Sequence, residues 1–449
     1  MARATYRDLG RAARYLLHAW PARMHGRAMT AARLGRRQAR RLRALVAHAA
    51  AASPYYQRLF AGAGIDPAEI LSPEALRRLP VLAKQTVREQ SAAIVTPLVD
   101  LAHCRRRPTA GTTGSHVEIP VSPLEYTLEL LLWQRGYAAY GLRPWQRQAK
   151  LALPQHIPAR TRAWQRCGLL RRSYLPVLAP PDEKVAWLRR TRPHALFCWS
   201  SMLNEISFHL ARTGTSLRIP LLFVTSDTLW PDVRQRAEER LGGRVIDIYG
   251  SVETGPIAWQ CPSGSGYHVQ ADDTIVELLD DAGQPTRQGQ VVCTVLWRLG
   301  FPLLRYALGD SAAWADAPCP CGSPFPLLQR VEGRYQPLLH LPGGAWLSAA
   351  RLKAVILEAP GVRQFQFVQE APARFLLRVV AGPAFAPEVE RRTQAEFERV
   401  CGQAARVRMA RVAEIRQPPE AKFSSLVTQE MLAQIARRGG DIGVFFQGT

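Results

Sequence analysis

Three observations predict an α/β protein built as a large domain followed by a smaller one. Strand-like and helix-like segments alternate from about residue 109 to 330. The same alternation returns on a smaller scale after Arg334. The 449 residues also exceed what one core usually holds. The reading divides the chain into a basic helical segment over 1–50, a large domain over 51–334 and a small α/β domain over 335–449, with the hinge near "VEGRYQP".

In the first segment Tyr6, Leu9, Ala13, Leu16, Leu17 and Trp20 recur near helical spacing, with Arg3, Arg7, Arg11 and Arg14 among them. Such a helix can lie on an acidic membrane, or pack on its own domain with a solvated basic face. "ASPYYQRLFAGAGIDPAEI" gives a helix, a glycine stop and a new start, and "SPEALRRLPVLAKQTVREQ" holds two short helices around "LPVLAK". "HALFCWSSMLNEISFHLARTG" begins as a buried strand and becomes a helix. "IPLLFVTSD" is a strand, "LWPDVRQRAEERLGG" a helix, and "RVIDIYGSVETG" a strand ending in a loop. "DTIVELLDDAGQPTRQGQVVCTVLW" reads as two strands around an Asp-Ala-Gly turn. In the small domain "RQFQFVQE" and "RFLLRVVAG" are strands, "PEVERRTQAEFERVCG" a helix and "ARVRMARVAEI" a strand.

Composition narrows the function. The apolar fraction of 47% is that of a soluble globular protein, and no apolar run approaches the roughly 18–20 residues of a spanning helix. The first residues show no long apolar stretch of a signal peptide. A cytoplasmic protein is therefore expected, with thiols or metal ligands rather than disulfides among its eight cysteines. The net charge of +23 suggests an anionic partner, yet only five of the 59 basic residues are lysine: Lys84, Lys150, Lys184, Lys353 and Lys422. Arginines spread along most of the chain do not form the clustered footprint of a nucleic-acid binder, so no nucleic-acid partner is expected.

Three stretches carry chemistry. "TAGTTGS" (109–115) is a glycine-rich loop whose backbone N–H groups can turn toward one anion, with hydroxyls from Thr109, Thr112 and Thr113. Alone it is equally a turn, and it lacks the Lys-Ser/Thr of a Walker loop. "DIYGSVETG" (247–255) ends a strand at the edge where α/β sheets bind ligands; Glu253 there can hold Mg²⁺ and Tyr249 can stack on a base. "PLLRYALGD" (302–310) delivers Arg305 and Tyr306 and then a Gly-Asp turn, whose Asp310 can accept both hydroxyls of a ribose.

In this order, with "VEGR" following and "AKFSSLV" near the end, the sequence resembles the adenylate-forming enzymes of the phenylacetate–coenzyme A ligase type, including their capsular-polysaccharide and coenzyme F390 synthetase-like members. The likeness runs over roughly residues 45–430. It implies a large domain of mixed β-sheets flanked by helices and a small mobile carboxy-terminal α/β domain. The implied reaction has two steps: a carboxylate attacks the α-phosphorus of ATP, pyrophosphate leaves, and a thiol takes the acyl group. Thr109, Gly111, Thr112, Thr113 and Gly114 would hold phosphates. Ser226, Asp227, Tyr249, Gly250 and Ser251 would face the nucleotide, Glu253 would bind Mg²⁺, Asp310 the ribose, and Arg334 the ribose or phosphate from the hinge. Lys422 would neutralise charge during adenylation, with Glu253 and Thr113 as its catalytic partners. The chain departs from the pattern at His116, where proline or a neighbour is usual, and at Tyr335 and Gln336, where an acidic pair follows the Gly-Arg. Ser424 and Ser425 stand where arginines are common.

Cys261, His268, Cys319 and Cys321 are residue types that suit a closed tetrahedral zinc site, as some relatives have; the alternative is reduced cysteines on two surface loops. The remaining cysteines, Cys104, Cys167, Cys198, Cys293 and Cys401, read as core or incidental. In relatives the acyl group lies between the phosphate loop, the segment here "FCWSSM" and the "YGSVE" loop, so Trp199 is a candidate lining residue or a core residue. The expected substrates are ATP, a small carboxylic acid of the aromatic type and coenzyme A. An acidic carrier protein or an amine is the alternative acceptor. A reading of another class is a basic, zinc-stabilised binding protein that has lost the chemistry.

Overall fold

The computed structural model describes residues 29–446 apart from 109–117, 159–164, 166–167, 169–170, 227–228, 230, 281, 333–337, 342–345, 349–351, 353, 357, 403, 416–425 and 438–440. Helix α1 (Ala31–Ala52) starts where the Thr30 hydroxyl accepts from the Arg33 N–H. It buries Leu34, Leu42, Leu45, Val46 and Ala49 along one face. Two of its arginines turn inward. Arg37 lies 3.7 Å from Asp272, and Arg41 pairs with Asp273. This part of the basic amino-terminal segment is therefore a packed element of the body; residues 6–20 lie outside the described chain. Among the described residues no helix is long and apolar enough to cross a membrane.

Helices α2 (Pro54–Ala63), α3 (Lys84–Glu89) and α4 (Ser91–Ile94) lead to an antiparallel hairpin, β1 (Arg105–Pro108) with β2 (Glu118–Val121). Helix α5 (Pro123–Ala139) follows, opened by a reciprocal capping box between Ser122 and Glu125. The main sheet starts with β3 (Gln148–Ala152), β4 (Arg172–Pro176), β5 (Ala195–Trp199), β6 (Leu221–Thr225) and β7 (Arg244–Ser251), which pair in parallel. Helices α6 (Pro181–Thr191), α7 (Ser200–Arg212) and α8 (Pro231–Leu241) alternate with these strands, the last two as the apolar patterning predicts.

Six antiparallel strands extend the sheet: β8 (Gly255–Gln260), β9 (Tyr267–Val269), β10 (Thr274–Leu279), β11 (Gln288–Val295), β12 (Tyr306–Trp314) and β13 (Leu327–Glu332). The order across the eleven strands is β10-β11-β12-β13-β9-β8-β7-β6-β5-β3-β4. Strand side chains alternate between two cores. Phe197, Phe223, Ile246 and Ile248 face α1 and α5, whereas Leu196, Cys198, Leu222 and Val224 face α6, α7 and α8.

After an antiparallel pair, β14 (Leu338–His340) with β15 (Trp346–Ser348), a four-stranded sheet, order β18-β17-β16-β19, is made by β16 (Val362–Ala371), β17 (Arg374–Ala381), β18 (Arg406–Arg411) and β19 (Leu426–Val427). Helix α9 (Pro387–Cys401) buries Phe397 and Val400 against it.

One local expectation changes. Gly309 and Asp310 do not form a turn after a strand. The strand begins at Tyr306 and runs through them, and Leu308–Asp310 face a register shift in β11 between Gln290 and Val292. Gly309 sits at φ 82, a conformation that favours glycine. The bulge absorbs the extra residues and re-aims the chain at Asp310.

Candidate active site

The end of β7 is where Tyr249 and Glu253 meet Asp310 and Tyr306 of β12. Its backbone turns tightly into β8, with Ser251 paired to Gly255. A Cβ on Gly250 would stand 2.6 Å from the Gly255 carbonyl oxygen, so the close approach requires glycine there. The turn presents Glu253, which is buried despite its charge. Its Oε1 accepts from the Tyr306 hydroxyl at 3.2 Å and pairs with Lys84 Nζ at 3.2 Å. Burial alone would push the Glu253 carboxyl up. Lys84 and the local hydrogen bonds prevail and hold it below the usual carboxylate range.

Two of these partners arrive by sheet pairing. The "LPVLAK" segment lies beside the start of β12, where the Leu82 N–H donates to the Arg305 carbonyl and the Ala307 N–H to the Leu82 carbonyl. This docking carries Lys84 to Glu253. Tyr306 is fixed by its neighbour Arg305, a non-glycine residue at φ 50. The Arg305 Nε and Nη2 donate to Glu277 at 3.1 and 3.2 Å, Nη1 donates to the Leu79 carbonyl, and its backbone N–H to the Thr294 hydroxyl at 2.9 Å. Arg305 is thus a buried anchor that positions Tyr306.

Tyr249 and Asp310 form the second pair. The Tyr249 hydroxyl donates to Asp310 Oδ2 at 3.0 Å, although their strands are separated in the sheet order by β8, β9 and β13. Burial, with Asp310 beside it, holds the Tyr249 phenol well above its ordinary value, so it stays a donor. Ser226, at the carboxyl end of β6, has φ 77, a strained conformation for a serine at a strand end. Thr109, Gly111, Thr112, Thr113, Gly114, Asp227, Arg334 and Lys422 lie outside the described residues, as do the departures at His116, Tyr335, Gln336, Ser424 and Ser425. The β1–β2 hairpin is tied to this ground, since the Arg107 Nη1 donates to both oxygens of Glu129 at 2.7 and 2.6 Å. Glu129 also takes Arg298 at 3.3 Å, and Arg298 Nη1 donates to the Glu253 backbone carbonyl.

Local sequence reading missed Lys84, Arg107 and Glu129. Their partners lie 22 to 169 residues away along the chain, and no local pattern signals them.

The other predicted constellation also assembles. Cys261, His268, Cys319 and Cys321 place their ligand atoms all within 4.8 Å of one another. Cys261 and Cys319 sulfurs are 3.5 Å apart, and His268 Nε2 is 3.2 Å from Cys321 Sγ. Tetrahedral bonds of about 2.3 Å put neighbouring sulfurs roughly 3.8 Å apart, close to this spacing. His268 Nδ1 lies 3.3 Å from the Phe325 carbonyl; with the proton there, Nε2 is left to ligate. Burial lowers the His268 pKa, which favours the neutral ring a metal needs.

No family model matches the chain. Curated relatives do. The chain is 26% identical over 338 residues to a phenylacetate–coenzyme A ligase of Thermus thermophilus, covering 72% of this chain and 75% of that one. It is 25% identical over 331 residues to the enzyme of that name from Escherichia coli, covering 68% and 72%. Over 68 to 72% of its length the chain is thus similar to phenylacetate–coenzyme A ligases, which are adenylate-forming enzymes. Among solved structures, 2-hydroxyisobutyryl-CoA ligase with 2-HIB-AMP and CoA superposes with a TM-score of 0.63 at 22% identity, covering 93% of this chain and 94% of that one. The likeness shows that the chain shares that fold along nearly its whole length.

Proposed function

We propose that this protein activates a carboxylic acid with ATP as an acyl-adenylate, releasing pyrophosphate, and then passes the acyl group to coenzyme A. The observation that carries the reading is the meeting of Glu253, Lys84 and Tyr306 beside the Tyr249–Asp310 pair at the end of β7. Attacker and leaving group are both anionic, so catalysis rests on charge neutralisation and alignment. Glu253 is ionised and already holds one cation, the Lys84 ammonium, which fits a role as a Mg²⁺ ligand. The bound ion would supply charge neutralisation at the phosphates. Asp310, with Tyr249 donating to one of its oxygens, would take ribose hydroxyls. The phosphate loop, Ser226, Asp227, Arg334 and Lys422 complete the proposed set on the strength of their motifs. Lys422 would act in the first step only, and the small domain would carry it away for the second.

The Cys261–His268–Cys319–Cys321 cluster would bind one structural zinc, because four protein ligands leave no open position. Such an ion would tie the β8–β9 hairpin to the loop before β13. Coenzyme A is the favoured acceptor, and the basic surface equally suits an acidic carrier protein. A cytoplasmic setting suits ATP chemistry and free thiols. For the arginines before residue 29 an acidic membrane is an expectation from sequence alone, tested by salt-sensitive pelleting with liposomes. The activity is tested by ATP–pyrophosphate exchange across a panel of carboxylates, then mass spectrometry with coenzyme A. Acid-dependent exchange and a thioester support the reading. Zinc-loaded, folded protein that exchanges with no acid supports the binding-protein alternative.

A further inference from the structure

The sheet face beneath α5 carries a set of hydrogen-bond donors that the reaction described above does not use. On β3 Gln148 and Lys150 alternate with Ala149 and Leu151, which belong to the opposite core. Lys150 sits in register between Tyr174 of β4 and Phe197 of β5. From α5, the Tyr137 ring packs 4.6 Å from that of Phe197. From β4, the Arg172 guanidinium lies 4.8 Å from the same Phe197 ring and spends two donors on Gln148 Oε1, at 3.1 and 2.7 Å. That leaves Gln148 Nε2 buried with no partner. Among the described residues neither the Lys150 amine nor the Tyr137 hydroxyl has a hydrogen-bond or ion-pair partner. The carboxylate on this side, Glu129, already serves Arg107 and Arg298.

Every unspent group here can donate, and the amide acceptor nearby is used. Burial, with Arg172 and Arg107 adding to it and Glu129 opposing, pushes the Lys150 amine down to about 7. What this ground lacks is negative charge. We propose that Lys150, with Tyr137 and Gln148 beside it, recognises a second acidic group at the far end of the acid being activated. The substrate would then be a carboxylic acid with a distal anionic group rather than a purely apolar arylacetate. This deepens, and rests on, the carboxylate-activating reading. The nucleotide is the less fitting source of the anion. Tyr249 and Glu253 belong to β7 and its turn, and β6 and β5 stand between β7 and β3, a lateral separation of about 14 Å.

The test compares phenylacetate with 4-carboxy- and 4-sulfophenylacetate in pyrophosphate exchange and in direct calorimetric binding, for the wild type and Lys150→Met. The wild type should favour the doubly acidic compounds by about tenfold or more in kcat/KM, since a buried donor left without its acceptor penalises the apolar analogue. Lys150→Met should abolish that preference, leave the KM for ATP unchanged and melt no lower than the wild type. Lys150→Arg, which keeps the charge, should retain part of the preference. A wild type favouring phenylacetate, or a Lys150→Met protein that keeps the preference, overturns the proposal. So does a rise in the KM for ATP with the preference intact. Lys150-dependent binding of the doubly acidic compounds without exchange would uphold the recognition and sink the activation reading. Neither binding nor exchange would overturn both.

Discussion

At the scale of single residues the account turns on charge held in buried places. Glu253→Gln keeps the shape of the side chain but removes the charge that would hold Mg²⁺. It should lower pyrophosphate exchange by about two orders of magnitude, as for loss of one preorganised contact, with the melting temperature little changed. Near wild-type exchange would contradict the assignment. Asp247 offers a pH test. Burial pushes its carboxyl up to about 6, although the Tyr267 hydroxyl donating at 2.8 Å opposes the shift. Because the folded value exceeds the unfolded one, stability is highest below the unfolded pKa. It falls as the pH rises through about 6. Asp247→Asn should therefore raise the melting temperature at pH 8 more than at pH 4.5; an equal change at both would refute the cause. These residues were unequally legible beforehand. Glu253 and Asp310 stand in motifs that can be picked out locally, although only Glu253 has the strand-turn setting expected of it. Lys84 does not, because its role comes from a pairing with a strand more than two hundred residues later. Lys150 looks like an ordinary strand position until the register sets it against Phe197.

At the scale of elements the alternation of strands and helices was readable because strand ends coincide with glycine or with capping residues and both periodicities are clean. The bulge in β12 was not, since a Gly-Asp pair inside a strand reads locally as a turn. Its anchor, Arg305, predicts a cost. Arg305→Met would leave Glu277 buried and unpaired, a loss on the order of 3–5 kcal/mol, and should release Tyr306 from Glu253. Thermal melting together with exchange checks both effects, and an unchanged melting temperature would deny the anchor. The Cys-His cluster was legible as residue types but not as geometry, because fifty residues separate His268 from Cys319. Protein prepared without added metal should carry one zinc per chain. Cys319→Ser should lose the metal and stability together, read by elemental analysis and melting. A metal-free, fully stable protein would refute the site.

At the scale of the molecule, the proposed reaction would use two arrangements of the small domain against the large one, with Lys422 acting in the first. Its motif placed it in sequence; the lysine itself is beyond the described residues, so kinetics must decide its role. The decisive measurement is the split of the two half-reactions in Lys422→Ala: acid-dependent pyrophosphate exchange, beside thioester formation from a presynthesised acyl-adenylate. The account predicts that the wild type performs both. In the variant, exchange should fall about 100-fold or more while transfer is largely retained, and Lys422→Arg should recover little because a planar guanidinium does not replace a compact ammonium. A wild type with no acid-driven exchange, or a variant in which both halves fall equally, would contradict it.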